Sequence, residues 1–248
     1  MSDTSPRAQL SLVIKWPHDV PPAPIPRDLL RRLAENRLPA TWAIEHPAQL
    51  SSLRAVAVQS QLIETAVLAC ERPVLIKCES KTAADWSAAV ARQIDGIRAA
   101  GADVATIQLG PAGTDRHSER RLHALGVRAV ITDATGGSAP AFKPLPFGLW
   151  QFTPKFIVPQ AKSWAQLLGL TRRVDLARHQ GLPALASIDL ARIAAGGSRR
   201  WREVETLVAQ ATSGRAEHKL EIVTVAEAAD RLADHHAARP QRSILRAA

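Results

Sequence analysis

Cysteine is scarce in this sequence and long apolar runs are missing. Only Cys70 and Cys78 occur in 248 residues, and they form no C-x-x-C. Two thiols on a chain this long read as packing residues rather than a disulfide or metal pair, so redox chemistry is not indicated. No apolar stretch approaches the roughly 20 residues of a bilayer-spanning helix, and the N-terminus lacks a basic segment followed by a sustained apolar one. The chain therefore reads as soluble and cytoplasmic, without a membrane partner. No G-x-G-x-x-G follows the first strand and no P-loop is present, which removes the two usual nucleotide readings. A G-x-S-x-G elbow is missing as well, so covalent hydrolase chemistry has no visible nucleophile. No cofactor is implied, and no internal repeat is visible.

What is present is a large potential core, with 46% hydrophobic residues, and a formal charge of +9. Such a charge fits an anionic polymer as partner. However, the basic doublets Arg31–Arg32, Arg120–Arg121, Arg172–Arg173 and Arg199–Arg200 are scattered over four segments with helical patterning. That is how solvated faces look, and no DNA- or RNA-binding signature accompanies them, so nucleic acid is disfavoured.

The stretch from Pro73 to Asp133 organises the rest. It reads as strand, helix, strand, helix, strand, with Thr82 and Asp85 resembling a capping box and Gly101 and Gly126 closing the two helices. Trp86, Val90, Ile94 and Ile97 form one apolar stripe, and Trp201, Val204, Leu207 and Val208 form another. Both tryptophans are expected to anchor the core. Strands are predicted near residues 10 to 16, 39 to 45, 55 to 59, 74 to 78, 104 to 109, 128 to 132, 184 to 189 and 220 to 223, with a helix over 61 to 71 after the third. Further helices are predicted from Arg27 to Asn36, Ser163 to His179, Arg199 to Ala211 and Ala226 to His236. Phe142, Phe147, Trp150, Phe152 and Phe156 cluster in a proline-rich stretch and fit a satellite core under a long loop. The pattern is α/β, a distorted TIM-like (β/α) barrel: a loose tail over 1–9, one domain over 10–236 and a basic tail over 237–248.

Three phrases carry a family resemblance. Leu38-Pro39-Ala40-Thr41-Trp42-Ala43, then Leu109-Gly110-Pro111-Ala112-Gly113 with Leu122 to Val130 and Asp133, and finally Leu220 to Leu232 resemble the framework of the polysaccharide deacetylases, the NodB-homology barrels. The resemblance implies a carbohydrate-acting barrel that removes acetyl groups with a metal-bound site. The motif chemistry departs from that pattern. Where the family places two aspartates, this chain has Lys15 and Trp16, with His18 and Asp19 displaced onto the loop. Lys77-Cys78-Glu79-Ser80-Lys81 stands where two histidines are customary, no arginine precedes Pro111, and Ser187-Ile188-Asp189 replaces the late histidine.

Barrel chemistry sits at the C-terminal ends of strands. The candidate catalytic residues are therefore Glu45, His46, Glu79 and Asp189, as acid and base pairs, and the candidate ligand-binding residues are Lys15, His18, Asp19, Lys81 and Asp133. The plain alternative is that these residues cap helices or form ion pairs. No metal ligand set is predicted, because Lys15 and Lys81 place positive charge where a cation would lie. Asp19, Glu79 or Asp189 are the acids that could offset it. Three functions follow: a degenerate deacetylase-like barrel holding a carbohydrate or anionic small ligand, a metal-free hydrolase with a rebuilt acid and base set, or a basic module for an anionic polymer. His117 and His123 read as surface residues, and Gly110 to Gly113 as a structural turn rather than an anion site.

Overall fold

The computed structural model of the chain describes residues 8–22, 24–56, 62–69, 80–110, 114–133, 141–154, 156–158 and 183–238. In chain order these form β1 (Ala8–Trp16), α1 (Ile25–Glu35), β2 (Ala40–Ile44), α2 (Pro47–Val56), β3 (Ile63–Leu68), α3 (Ser80–Ala99), β4 (Val104–Leu109), α4 (Arg116–Ala124) and β5 (Ala129–Thr132). They continue with β6 (Phe142–Pro144), β7 (Trp150–Phe152), β8 (Phe156–Val158), β9 (Pro183–Asp189), α5 (Leu190–Ala216), β10 (Leu220–Ile222) and α6 (Val225–Ala238). One curled sheet runs β6-β7-β5-β4-β3-β2-β1-β9-β8, with β10 added beside β1. Every pairing is parallel except that of β6 with β7. Parallel strands require crossovers, and α1 to α4 lie between successive strands from β1 to β5.

The sheet is covered on both faces, which is why β2 and β4 are buried along their whole length. Period-two alternation sorts the side chains. Leu10, Leu12 and Ile14 join an outer cluster with Leu29 and Leu33 of α1, Leu53 of α2 and the α3 stripe Trp86, Val90, Ile94 and Ile97. Val13, Ala129, Ile131 and Leu185 face the other way, onto Val225, Ala228 and Ala229 of α6. The last helix therefore lies against the inner face, towards the N-terminal ends of the strands.

Its seat is polar. The first three amides of α6 all find acceptors: Val225 N–H donates to Thr41 Oγ1 (3.0 Å), Ala226 N–H to Glu64 Oε2 (3.1 Å) and Glu227 N–H to Thr224 Oγ1 (3.3 Å). The Glu227 carboxylate accepts in return from Thr224 N–H at 2.8 Å, closing a capping box. Glu64 also accepts from the hydroxyls of Thr41 and Thr106. Burial pushes its carboxyl above the usual range, against the pull of those hydroxyls and the two amides.

Four helices end in the same way, with a residue in the left-handed region and paired backward hydrogen bonds. Gly101 (φ 88°) and Gly126 (φ 75°) close α3 and α4. Arg37 (φ 53°) and His218 (φ 56°) close α1 and α5, with Leu38 N–H donating to Leu33 O (2.9 Å) and Lys219 N–H to Gly214 O (3.0 Å). Three of these ends are also met by an arginine from another helix. Arg54 donates to Ala100 O and Gly101 O (2.7 and 2.6 Å), Arg98 to Leu125 O (2.7 Å), and Arg215 to the carbonyls of Asn36 and Arg37.

Several sequence expectations change. The strand expected at 55–59 and the helix at 61–71 are displaced: α2 runs through Val56 because Leu50 and Leu53 make one buried stripe, and the β-branched run from Ile63 supplies β3. The strand expected at 74–78 lies outside the described residues, and β3 itself pairs with β2 and β4, so it holds the slot between them. Thr82 is not the start of α3, which begins at Ser80. The helix expected over 199–211 runs from Leu190 to Ala216 across a kink at Gly197 (φ 61°, ψ −154°), a backbone conformation that glycine tolerates. The helix expected at Ser163–His179 lies outside the described residues. Of the aromatics, Trp150 and Phe152 are buried in the inner cluster with Phe142 packed on it, whereas Phe147 is exposed and stacks on His123. His117 and His123 are exposed.

Trp86 is buried at 6% exposure, and Trp201 is half-buried against the same cluster with the Arg32 guanidinium 5.7 Å from its ring centre. Trp86→Ala should therefore cost about 3–5 kcal/mol in urea unfolding, and Trp201→Ala distinctly less. Glu64 gives a pH signature. Because its folded value is raised, the stability it contributes is complete below its ordinary value of 4.5 and is lost as pH climbs through the folded value. A Glu64→Gln variant should lack that decline when unfolding midpoints are followed from acid to neutral pH.

Candidate functional site

The C-terminal ends of the strands are tied together by three glutamines. Gln49 Oε1 accepts from the amides of Glu45 and His46 (both 2.9 Å), and its Nε2 donates to Trp16 O (2.9 Å). Gln93 Nε2 donates to Glu45 O (2.9 Å) and Leu68 O (2.8 Å), so the ends of β1, β2 and β3 are fixed relative to one another. Gln108 Nε2 donates to Asp133 Oδ1 at 3.2 Å. Sequence reasoning did not select Gln49 or Gln93. The available signal was Gln49 at the third position of a helix opened by Pro47, where a glutamine reaches back over the helix start.

Within this frame, Lys15 donates to Asp133 Oδ1. In the sheet order β2, β3 and β4 lie between their strands. Four steps of about 4.8 Å in a flat sheet would separate them by about 19 Å, further than the two side chains reach together. The contact therefore spans the curl of the sheet. Lys15 is 12% exposed and Asp133 34%, so the pair lies at the base of the mouth rather than on its rim.

A second group stands beside it. His18 Nδ1 lies 2.5 Å from Glu45 Oε2, which also accepts from His18 N–H at 2.9 Å, and the His46 ring centre is 6.3 Å from that of His18. The expected pairing of Glu45 with His46 is thus replaced by Glu45 with His18: residue 46 begins the α2 turn, while the loop after β1 folds back over Glu45. Asp189 caps α5 by accepting from Arg192 N–H (3.1 Å) and sits 3.3 Å from Arg192 Nε. Its Cα is in register with that of Lys15, yet its carboxylate serves the helix. Asp19 lies exposed on the β1–α1 loop. Glu79 and the turn 111–113 lie outside the described residues, and Lys81 is in the first turn of α3. The Lys15 charge at the base of the mouth is met by Asp133, while Asp19 stays exposed on its loop and Asp189 serves α5.

Two polar atoms on the inner face, Gln108 Oε1 and Ser187 Oγ, are buried without a partner among the described residues. No group of three His, Cys, Asp or Glu side chains in the described part is arranged to hold a metal ion, and the carboxylate at the base of the mouth already faces an ammonium. This donor set does not fit a divalent cation. No described helix is long and apolar enough to cross a membrane.

The crossing pair gives a direct test. Lys15→Met or Asp133→Ala alone leaves a partly buried charge without its partner and should cost about 1–3 kcal/mol, whereas Lys15→Met with Asp133→Leu should recover most of it. Urea unfolding of the three variants reads the difference.

No family model and no curated protein matches the sequence. Solved structures do. A Mycobacterium smegmatis protein assigned as a polysaccharide deacetylase superimposes with a TM-score of 0.62 at 14% identity, covering 95% of this chain and 94% of its own. The allantoinase PuuE gives 0.62 at 12% identity, covering 96% and 93%. PdaA of Bacillus subtilis, a family 4 carbohydrate esterase, gives 0.50 at 11% identity, covering 92% and 83%. At such identities the likeness speaks to architecture, and with the curled parallel sheet and its helical coat it establishes that the chain carries the (β/α)-barrel fold of the polysaccharide deacetylases.

Proposed function

We propose that this protein is a deacetylase-like barrel that binds a carbohydrate or another small polar ligand at its mouth without divalent-metal hydrolysis. The observation that carries this reading is the commitment of Asp133. Its Oδ1 is taken by the Lys15 ammonium and the Gln108 amide, at the strand ends where the resembling family holds its acidic metal ligands. A fixed ammonium repels a divalent cation and leaves N–H donors for sugar hydroxyls, carboxylates or amide carbonyls. Among the fold neighbours, PdaA is a carbohydrate esterase, which favours a sugar over other polar ligands.

A second reading rests on its own observation. With Nδ1 held by Glu45 and the ring 69% exposed, His18 presents Nε2 outward as a general base would. That arrangement supports hydrolysis without a metal.

Protein purified without chelator should carry less than stoichiometric zinc or cobalt, and chitotetraose should bind saturably in calorimetry without release of acetate. One equivalent of either metal would sink the proposal. Acetate release that needs no metal and disappears in Glu45→Gln would replace it with the metal-free hydrolase.

A further inference from the structure

The opposite end of the barrel holds a second pocket. A cavity of about 590 Å³ opens where β10 leaves the N-terminal edge of the sheet, walled by Pro39, Leu62, Leu220 and Ile222 and rimmed by Arg37 and His218 among its polar residues. We propose that this cavity is a binding site for a phosphate monoester with an apolar body, independent of the mouth.

The backbone is unusual at this pocket. Of the four helix ends closed by a left-handed residue, two use glycine, the residue that adopts this conformation without strain. The other two carry Arg37 and His218, and both line this one cavity. A left-handed conformation on a side-chain-bearing residue carries some strain, and its recurrence at both helix ends of this pocket makes the pocket a candidate site.

Charge sets the pocket apart as well. A cation near a helix C-terminus commonly serves the helix dipole. At the end of α1 that service comes from Arg215, whose guanidinium donates to the carbonyls of Asn36 and Arg37. The Arg37 guanidinium has no partner among the described residues, and neither does the His218 ring. The acids of the pocket are occupied: Glu221 accepts both arms of Arg231 (2.7 and 2.8 Å), and Glu227 closes the capping box on Thr224. The unmatched charge is therefore positive. A guanidinium presents paired donors that suit phosphate oxygens, and the apolar walls suit a hydrocarbon or ring attached to them.

The test uses the full chain with hexyl phosphate, inorganic phosphate and hexanoate in calorimetric titrations. Hexyl phosphate should bind saturably and at least tenfold more tightly than either of the others. Arg37→Gly with His218→Gly should weaken it at least tenfold while leaving the melting temperature unchanged or higher, since glycine relieves both helix ends. Lys15→Met, at the far mouth, should leave it unchanged. No saturable binding by the parent protein, undiminished binding by the double glycine variant, or loss of binding in Lys15→Met would each overturn the site. Hexanoate binding as tightly as hexyl phosphate would overturn the assignment to phosphate. A fall in melting temperature on glycine substitution would show that these residues serve the fold.

Discussion

One ion pair is held inside the curl of the sheet and ties the mouth's chemistry to that curvature. Lys15 and Asp133 belong to strands that are not neighbours, and they meet only because the sheet bends through the intervening three. The pair is costly to desolvate, so its geometry must be maintained from outside. Gln49 and Gln93 provide part of that support by fastening the ends of β1, β2 and β3, and Gln108 holds the aspartate directly. The chemistry of the mouth and the curvature of the sheet are thus a single constraint. An acid in place of Lys15 would face Asp133 as a like charge, and the site would then need a cation to exist at all.

Three of the chain's arginines serve the helix ends. Arg54, Arg98 and Arg215 each spend a guanidinium on the carbonyls that end another helix. A parallel barrel turns the C-termini of its coat helices towards the same end, and their exposed carbonyls concentrate negative partial charge there. Arginine, with a planar fork of donors, meets two carbonyls at once. These three arginines therefore have a use within the fold itself.

The sequence made the sheet legible where apolar runs were bounded by helix punctuation, as in β1, β2, β4, β5 and β9. It misled at 55–56, at the start of a strand expected from R-A-V-A-V-Q, and over Ile63–Leu68, where I-E-T-A-V-L was expected to be helical. Helix or strand was decided there by burial on the sheet, which local pattern does not contain. Glu64, within that second phrase, was invisible as a feature because its partners Thr41, Thr106 and the α6 amides are distant in sequence. The site was legible as a set of strand-terminal polar residues but not as pairs. Lys15 was selected and its true partner was among the ligand candidates, yet their meeting depends on curvature. His18 with Glu45 likewise depends on how a proline-rich loop folds back.

The polar seat of the last helix bears on how the molecule assembles. Thr41 and Val225 are 184 residues apart, and Glu64 and Ala226 are 162 apart. Until α6 arrives, the Glu64 carboxyl and the Thr41 hydroxyl lack their amide partners, and Val13, Ala129 and Leu185 lack their cover. During synthesis from the N-terminus β1 to β5 emerge before α6, so the inner face stays open until α6 follows. The contacts that bury the inner face are thus among those of longest sequence separation in the fold, the kind that form late.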